Sequence, residues 1–584
     1  LIRDLTTVGT NSEATVGIDF GSNNTCMYYN TPNRGTNPIV FGNYRAVLVG
    51  RENNNPKAIA ENNELLFFTN FPSENGQLKS WLHEHDSRYV GANQSSEVAG
   101  GVPVNRPNVR VQEMNEFEIK TQAGILHYNM KWLDDDKGRE KKRAFLKSVW
   151  LQACAFLYTN RVHPEEVYWS YPGSMMTSDR DELEGIFEDL CKITPFGRKP
   201  ELANKLFTEA EAVCSYAMSQ EFGLNSNNMF LGIDVGGSTS DILLIAKNPQ
   251  NNNRYSLFRE SSVRLAAGVF FDAVKKSEQY RQALVDFHEG HDTAVYVENI
   301  KEIIDHPDKA PYYLNSIFDQ LKDQNDYDAF YASLSSNAKF VFTIPAYVCG
   351  LLLFYSGMLI GKTIKLNRLG NIDRVELMPF GKGGRLFHWL RHASSTRTTN
   401  EYYNNCVNAG LQLIIPDKAI SVKYHEEIEN DNKTEVARGL CENNELAIVD
   451  GLNDCDICGE TGVRFIKDGN TYFIAPDDEI SGEQFSDDMS YFDFSGVQNF
   501  EKFMDIFIKF VSKDTKLYQR AEDSLRDEIS ELPTRIISFC TNDQEYKKAS
   551  KNNKNGEGFH YHQPIIIAEG ACFLKSLISK VFNQ

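Results

Sequence analysis

Apolar and polar residues follow each other along the chain in short runs that predict an α/β protein. Runs of β-forming residues at positions 15–20 and 229–235 each contain an aspartate near their end and lead into glycine, which predicts a buried strand followed by a tight turn. Apolar residues at helical spacing in residues 139–158 and 202–222 predict helices between the strands. Strands that alternate with helices predict sheets flanked by helices.

An uncharged run at residues 340–361 is long enough to cross a bilayer as a helix. Against a membrane span, the run contains Pro345, Gly350 and Gly357, and no second run of this kind accompanies it. We therefore interpret it as a strand-like start followed by a buried core helix, with a membrane span as the alternative.

Shifts in composition divide the chain into three predicted parts. Residues 14–228 form a first lobe with an irregular inserted subdomain at about 71–130. Residues 229–445 form a second lobe with a charged, helical insertion at about 268–338. Residues 446–584 form an appended C-terminal α+β region.

The appended region has predicted elements and one candidate metal motif. Strands on either side of Asp468 and Gly469 predict a hairpin, and residues 564–582 predict a last strand and helix. Cys455 and Cys458 have the spacing of half a zinc knuckle, but a tetrahedral site needs four ligands, and the sequence has no second pair at this spacing. A turn with buried thiols is the interpretation that we favour, with zinc as the alternative.

Composition and charge narrow the class of protein. Hydrophobic residues are 41% and charged residues 24% of the chain, as in ordinary globular proteins. A net charge of −19 disfavours nucleic acids and anionic membrane surfaces as partners, because both require a basic face. Eleven cysteines without regular spacing are typical of a reducing compartment. We expect a cytoplasmic protein with no nucleic-acid partner and no membrane span.

The strongest chemical signal is a strand-and-turn segment that occurs twice. Residues 16–25 read Val-Gly-Ile-Asp-Phe-Gly-Ser-Asn-Asn-Thr, and residues 231–241 read Leu-Gly-Ile-Asp-Val-Gly-Gly-Ser-Thr-Ser-Asp. Glycine lets the backbone turn tightly and approach a ligand, and successive N–H groups in such a turn form a concave site for anions. Two copies predict a duplicated fold that grips one phosphate ligand from both sides.

The side chains of the two segments indicate how the ligand is held. Asp19 and Asp234 would repel phosphate directly, so they predict a hydrated Mg²⁺ between carboxylate and phosphate, with a turn-capping role as the alternative. Hydroxyl groups that can donate to phosphate oxygens belong to Ser22, Thr25, Ser238 and Thr239.

Six segments in order resemble the ATPase superfamily of actin, heat-shock chaperones and sugar kinases, and they are most similar to the chaperone ATPase domain. The segments are residues 16–25 and 231–241 for the two phosphate motifs, 168–174 for the strand and proline before the first connecting helix, 208–213 and 435–440 for the two connecting helices, and 380–385 for the adenosine motif. The resemblance covers about residues 14–445. It implies a duplicated two-lobe actin-like fold, with a mixed five-stranded sheet and flanking helices in each lobe and a nucleotide in the cleft.

The resemblance also implies roles residue by residue. Asp19 and Asp234 are the expected metal residues, and with Glu209, which would lie near the attacking water, they are the expected catalytic residues. The expected ATP-binding residues are Gly21, Ser22, Asn23 and Thr25 in the first motif, Gly236, Gly237, Ser238 and Thr239 in the second, and Gly381, Gly383, Gly384 and Arg385 in the adenosine turn. The alternative is that Glu209, like the nearby Glu211, is only an exposed helix residue.

Three departures from the family pattern bear on catalysis. Asn23 and Asn24 stand where chaperones carry small hydroxyl residues or glycine, and the first connecting helix lacks the proline that usually follows its glutamate. The chaperone lysine of the inserted subdomain has no match in the sequence. Because phosphoryl transfer depends on positioning and charge stabilisation, loss of one donor predicts a slow ATPase or a protein that only binds nucleotide.

These observations lead to one expected function and three alternatives. We expect an ATP-binding, ATP-hydrolysing, Mg²⁺-dependent switch that acts on a protein partner. The alternatives are a kinase for a small sugar or acid, for which no segment marks a substrate site, an actin-like filament protein, and a scaffold that binds nucleotide without turnover. The appended region does not resemble the client-binding domain of chaperones, so protein refolding is not implied.

Overall fold

The computed structural model describes a defined set of residues. These are residues 12–21, 24–41, 46–49, 77–80, 82–84, 106–107, 109–112, 125–127, 130–133, 137–172, 175, 177–219, 227–236, 239–249, 254–270, 280, 282–283, 286–287, 330, 334, 339–425, 434–442, 447–448, 456–467, 470–479, 492–494, 497–514, 523–541 and 563–582.

The chain divides into two compact units. The first comprises Leu1–Gln220, Leu284–Ala329 and Lys433–Glu445, and the second comprises Glu221–Ala283, Phe330–Asn432 and Leu446–Gln584. Each unit has its own mixed sheet and its own packed helices, so the predicted α/β class is confirmed.

The helices and strands are numbered in chain order. The helices are α1 Gly138–Thr159, α2 Thr177–Ile193, α3 Glu209–Ser219, α4 Thr343–Asn367, α5 Arg385–Ala393, α6 Thr396–Ile414, α7 Glu435–Glu442, α8 Gln498–Ile508, α9 Asp523–Thr541 and α10 Ile565–Phe582. The strands are β1 Ser12–Phe20, β2 Asn24–Thr31, β3 Gly35–Pro38, β4 Ala46–Val49, β5 Gln77–Lys79, β6 Leu82–Glu84, β7 Arg106–Pro107, β8 Val109–Gln112, β9 Ile125–His127, β10 Val162–Tyr171, β11 Glu201–Leu202, β12 Phe207–Thr208, β13 Asn228–Val235, β14 Ser240–Asn248, β15 Arg254–Val263, β16 Arg374–Phe380, β17 Ser421–Tyr424, β18 Ala447–Ile448, β19 Val463–Lys467, β20 Asn470–Ile474 and β21 Phe492–Phe494.

The main sheet of the first unit has the strand order β11, β10, β1, β2, β3, with β12 also beside β10 and β5 beside β2. The central strand β1 is antiparallel to β2 and parallel to β10. Strand β2 is antiparallel to β3, and β10 is parallel to β11. The core beside this sheet includes Trp169, which stacks on Phe187 of α2 with 4.9 Å between ring centroids.

Two short helices of the first unit, α3 and α7, pack on each other through glycine. A Cβ atom on Gly439 of α7 would lie 1.8 Å from the carbonyl oxygen of Ala212 in α3. On β1, a Cβ atom on Gly17 would lie 2.3 Å from the carbonyl oxygen of Ala437. Helix α7 therefore lies against β1 and against α3 at distances that no larger side chain permits.

The main sheet of the second unit has the strand order β17, β16, β13, β14, β15, β18. Its central strand β13 is antiparallel to β14 and parallel to β16. Strand β14 is antiparallel to β15, and β16 is parallel to β17. Apart from β18 here and β5 and β12 in the first sheet, the two sheets have the same order and sense of strands, with two antiparallel strands on one side of the central strand and two parallel strands on the other.

Helix α4 is the centre of the second unit. Among the described residues, the segment Lys339–Asn367 is helical, long and apolar enough to cross a membrane, and its most apolar window is 100% buried inside the protein. Its backbone approaches α6 at Gly357 and Gly410, where an added Cβ atom would lie 2.0 Å from Val407 O and 1.9 Å from Phe354 O. The predicted core helix is confirmed, whereas the predicted strand-like start is wrong, because Lys339–Phe342 forms a 3₁₀ turn.

Helices from the C-terminal part of the chain cover α4 within the second unit. The ring of Tyr347 stacks on Phe573 of α10 with 5.7 Å between centroids, and its hydroxyl donates to Gly570 O at 2.9 Å. The predicted last strand from residue 564 is wrong, because α10 begins at Ile565. Three consecutive isoleucines favour a strand locally, but their burial in this helical layer overrides that preference.

The predicted hairpin of the C-terminal region is confirmed, since β19 and β20 pair antiparallel from Lys467 and Asn470 onward. The two units divide the chain differently from the predicted three parts. Leu284–Ala329 and Lys433–Glu445 belong to the first unit, and residues 221–228 and Leu446–Gln584 belong to the second. The three-part division itself stays a prediction. The predicted insertions at about 71–130 and 268–338 lie largely outside the described residues.

Candidate functional site

The first glycine turn closes the central strand of the first unit. Asp19 is the penultimate residue of β1, is only 1% exposed, and stands opposite Cys26 of β2. The N–H of Gly21 donates to the carbonyl oxygen of Asn24 at 3.0 Å, which closes the turn. Ser22 and Asn23, both predicted phosphate ligands, lie outside the described residues.

A residue that the sequence analysis missed holds this turn in place. The hydroxyl of Ser80 donates to Gly21 O at 2.6 Å, so the hydroxyl of Thr25, which lies 2.8 Å away, donates in turn to Ser80. Both side chains are fully buried. Thr25 therefore supports the turn through its hydroxyl. Ser80 could not be linked to this turn from the sequence, because it lies 59 positions after Gly21 in an irregular segment.

The second glycine turn closes the central strand of the second unit. Asp234 is the penultimate residue of β13 and stands opposite Asp241 of β14. The N–H of Gly236 donates to Thr239 O at 2.9 Å, and Gly236 O accepts the N–H of Ala267 at 3.1 Å. The predicted ligands Gly237 and Ser238 lie outside the described residues.

The predicted adenosine turn packs directly on this second turn. Gly381 has a φ of +67°, and a Cβ atom on it would lie 2.2 Å from Oδ1 of Asp234. A Cβ atom on Gly383 would lie 2.6 Å from Val235 O. Within the second unit the structure thus brings Gly381 to the carboxylate of Asp234 and Gly383 to the backbone of Val235, where only glycine allows so close an approach.

The two remaining residues of the predicted adenosine turn lie where the turn becomes helix. The N–H of Gly384 donates to Gly381 O at 3.1 Å, which closes a 3₁₀ turn over Lys382–Gly384. Arg385 follows as the first residue of α5 and is half-buried. The predicted turn is therefore a tight glycine corner between β16 and α5.

Glu209 begins helix α3 in the first unit and forms an ion pair with Lys131. Lys131 is only 2% exposed, so its ammonium group has little contact with water and is held by the carboxylate of Glu209. Lys131 lies in the 3₁₀ turn Met130–Trp132, at the end of the predicted inserted subdomain. The sequence analysis did not identify Lys131, because its pairing with Glu209 depends on the folded structure.

The neighbouring carboxylate, Glu211, has a different and structural role. Its N–H donates to the hydroxyl of Thr208 at 3.0 Å, and its carboxylate accepts the N–H of Thr208 at 2.8 Å. This reciprocal pair is a capping box, which fixes the start of α3. Burial raises the pKa of Glu211, although the Thr208 N–H opposes that shift. Glu209, two residues earlier, takes no part in the capping box and pairs with Lys131.

The described half of the candidate zinc motif is a buried thiol. Cys458 is fully buried and donates through Sγ to Glu460 O at 3.5 Å. Burial raises the pKa of Cys458 well above the range of a free thiol. Cys455 lies outside the described residues. These contacts support the interpretation of Cys458 as a packed thiol.

Comparison with known proteins gives no match to a protein-family model and no significant match to a curated protein.

Proposed function

We propose that the protein is a duplicated, actin-like α/β ATPase, which binds ATP with Mg²⁺, hydrolyses it slowly and acts as a cytoplasmic switch on a protein partner. The observation that carries the proposal is the shared connectivity of the two sheets. In each sheet the Gly-Ile-Asp strand is the central strand, and in each it leads through a glycine turn into an antiparallel neighbour.

The positions of the two aspartates agree with duplication. Asp19 and Asp234 are each the penultimate residue of their strand, so both carboxylates stand at the carboxyl end of the central strand. Ligands of α/β sheets commonly bind at this end. An unrelated pair of turns would have no reason to occupy the same place in two sheets of the same topology.

We propose that the second unit holds a nucleotide and a hydrated cation. Asp234 and Asp241 stand opposite each other on paired strands, where like charges repel, and a divalent cation relieves such repulsion. The glycine corner packs on the same turn, since a Cβ atom on Gly381 would clash with Asp234 and a Cβ atom on Gly383 with Val235. ATP with Mg²⁺ would supply the transferable phosphoryl group and the counter-charge. In this proposal Asp19 and Asp234 hold water molecules of the metal, and Gly236 and Thr239 contact phosphate.

The first unit contributes the residue proposed to orient water. Glu209 is held by buried Lys131, and the capping box at Thr208 and Glu211 fixes the first turn of α3 on which Glu209 stands. A carboxylate fixed in this way can orient a water molecule for in-line attack on phosphate. We propose this role for Glu209, with Lys131 as its positioning residue.

The proposal is tested by measuring ATP binding in the presence of Mg²⁺ by calorimetry, together with phosphate release, for the wild type and for Asp234→Ala. Asp417→Ala is the matched control, because Asp417 is an exposed carboxylate of the same unit. We expect the wild type and the control to bind ATP and to release phosphate, and we expect Asp234→Ala to lose phosphate release. Absence of ATP binding by the wild type would overturn the proposal. Phosphate transfer only after addition of a sugar or acid would favour the kinase alternative, and ATP-dependent pelleting would favour the filament.

A further inference from the structure

Strand β20 forms one edge of a small three-stranded sheet in the second unit, in the order β20, β19, β21. Its sequence, Asn-Thr-Tyr-Phe-Ile, contains neither charge nor proline. Phe473 is 73% exposed and Tyr472 is 43% exposed, and within the described residues Leu366, at 55%, is the one other large hydrophobic side chain that is this exposed. Adjacent exposed aromatics on a strand edge are unusual for a soluble protein.

The backbone of β20 offers hydrogen-bonding groups at this edge. Lys467 and Asn470 pair across a connection of two residues, so they form the first hydrogen-bonded pair of the hairpin. Because hydrogen-bonded and non-hydrogen-bonded pairs alternate along an antiparallel ladder, Thr471 and Phe473 then direct their N–H and C=O groups away from β19. In the described part of the chain, the strand paired with β20 is β19.

A second sheet edge in this unit, that of β17, differs from β20 because side chains cover its backbone groups. The edge strand β17 and the residue before it are covered by two asparagines of α6. Asn408 accepts from Ile420 N at 2.8 Å and donates to Ile420 O at 2.8 Å, and Asn404 accepts from Val422 N at 2.8 Å. These amides occupy the backbone groups that a further strand would use. The contrast indicates that the open, aromatic edge of β20 has a use that the edge of β17 does not.

We propose that β20 is a docking strand, to which an extended, basic segment of a partner protein adds as a further strand. Strand addition supplies backbone hydrogen bonds, and alternate side chains of the added segment can pack beside Phe473. The charge of the partner follows from the charge of this protein. Exposed Asp478 and Glu479 come shortly after β20, and the chain carries a net charge of −19. A second copy of the chain is therefore repelled, and a basic segment is attracted.

The test uses a fluorescent ten-residue peptide of alternating valine and lysine, titrated into the full chain and followed by anisotropy. We expect binding that weakens with added salt. Thr471→Pro removes one outward N–H and is tolerated at a sheet edge, and Phe473→Ser removes the aromatic anchor. Each variant is expected to bind the peptide about tenfold more weakly. The control is Leu366→Ser, which removes another exposed apolar side chain of the same unit and should leave binding unchanged.

Several outcomes would overturn the docking proposal. Equal binding of the peptide by wild type, Thr471→Pro and Phe473→Ser, each shown to unfold at the wild-type temperature, would exclude β20 as the site. Equal binding of a valine–glutamate peptide would exclude the basic partner. A dimer in light scattering that dissociates on Phe473→Ser would show that the occupant is a second copy. If Thr471→Pro does not fold, Phe473→Ser alone decides the position of the site.

Discussion

The ammonium group of Lys131 forms an ion pair with the carboxylate of Glu209, although the two residues lie 78 positions apart. The pair joins the 3₁₀ turn that follows the inserted segment to the first residue of α3. A buried charge held by one partner is sensitive to loss of that partner, because the remaining charge keeps its desolvation cost. This relationship makes the first unit testable without any knowledge of the physiological partner.

Lys131→Met is expected to reduce phosphate release at least about tenfold while ATP binding is retained, because Glu209 loses the group that orients it. The measurement is single-turnover phosphate release together with calorimetric ATP binding. Lys142→Met is the matched control, since Lys142 is also a buried lysine of the first unit and pairs with Glu182 at 2.9 Å. Both variants should lose stability, but only Lys131→Met should lose release. Equal loss of release in the two variants would contradict a positioning role for Lys131.

Gly439→Ala is expected to destabilise the protein by about 1–3 kcal/mol, because the added Cβ atom meets the backbone of α3 at Ala212 and the helices must separate. Urea unfolding followed by far-ultraviolet circular dichroism measures the change. Gly185→Ala is the control, because Gly185 also lies on a helix of the first unit, and its nearest neighbour would be 3.7 Å away. There the substitution should be neutral or stabilising by up to about 1 kcal/mol. Similar destabilisation in both variants would mean that α3 and α7 do not pack as closely as described.

Gly381→Ala is expected to weaken ATP binding about tenfold or more, because the added methyl group would displace the carboxylate of Asp234. Gly35→Ala separates this effect from backbone strain. Gly35 has nearly the same φ, +65°, but a Cβ atom there meets nothing within 4 Å. Both variants should lose about 1 kcal/mol of stability through the left-handed backbone, and only Gly381→Ala should lose binding in calorimetry. Unchanged binding in Gly381→Ala would separate this turn from the nucleotide site.

Two buried glutamates of the second unit are expected to give opposite dependences of stability on pH. Burial raises the pKa of Glu460, although the N–H groups at the start of α8 and the adjacent Glu569 oppose the shift. The folded protein then holds a proton that the unfolded chain releases. Stability from Glu460 is therefore lost as the pH rises from about 4, the ordinary carboxyl pKa, through the raised folded value.

Glu376 has the opposite sign. Its burial opposes ionisation, but hydrogen bonds from His425 at 2.6 Å and Asn228 at 3.1 Å, with Arg374, hold the pKa of Glu376 below its ordinary value. Stability from Glu376 is therefore present above the ordinary carboxyl pKa and is lost as the pH falls through the lowered value.

Urea unfolding of the wild type, Glu460→Gln and Glu376→Gln at pH values below and above the ordinary carboxyl pKa checks the direction of both dependences. The unfolding free energy of wild type relative to Glu460→Gln should fall as the pH rises, and that relative to Glu376→Gln should increase. The same slope for both variants would contradict at least one of the two environments. Because the two glutamates belong to the same unit, each variant serves as the control for the other.

Local sequence patterns predicted the parts of the candidate site that depend on one segment. The Gly-Ile-Asp strands and the turns after them appear where expected, because strand propensity, aspartate and glycine all favour the same local structure. The capping box could also have been read from Thr208 and Glu211, and it would have separated Glu211 from Glu209 at the outset.

The remaining parts depend on contacts between distant segments. Lys131 and Ser80 lie in an irregular stretch where no periodicity marks them, and each acquires its role from a residue more than fifty positions away. The strand predicted at Ile565 failed for a related reason, since three isoleucines favour a strand locally and only their packing in the helical layer makes them helical. Whether Glu435–Glu442 packs with the first or the second unit is likewise decided by glycine contacts at Gly17 and Gly439, which no local pattern reveals.

The burial of α4 has a consequence for the newly synthesised chain. Tyr347 leaves the ribosome long before Phe573, the ring on which it stacks. At ordinary translation rates roughly ten to forty seconds separate the two. During that interval a helix of 25 residues, uncharged over its first nineteen, lacks α8 and α10, which cover it in the folded protein. The second unit therefore completes its core only after Phe573 has been synthesised, and a nascent chain of this protein is expected to need protection from aggregation until then.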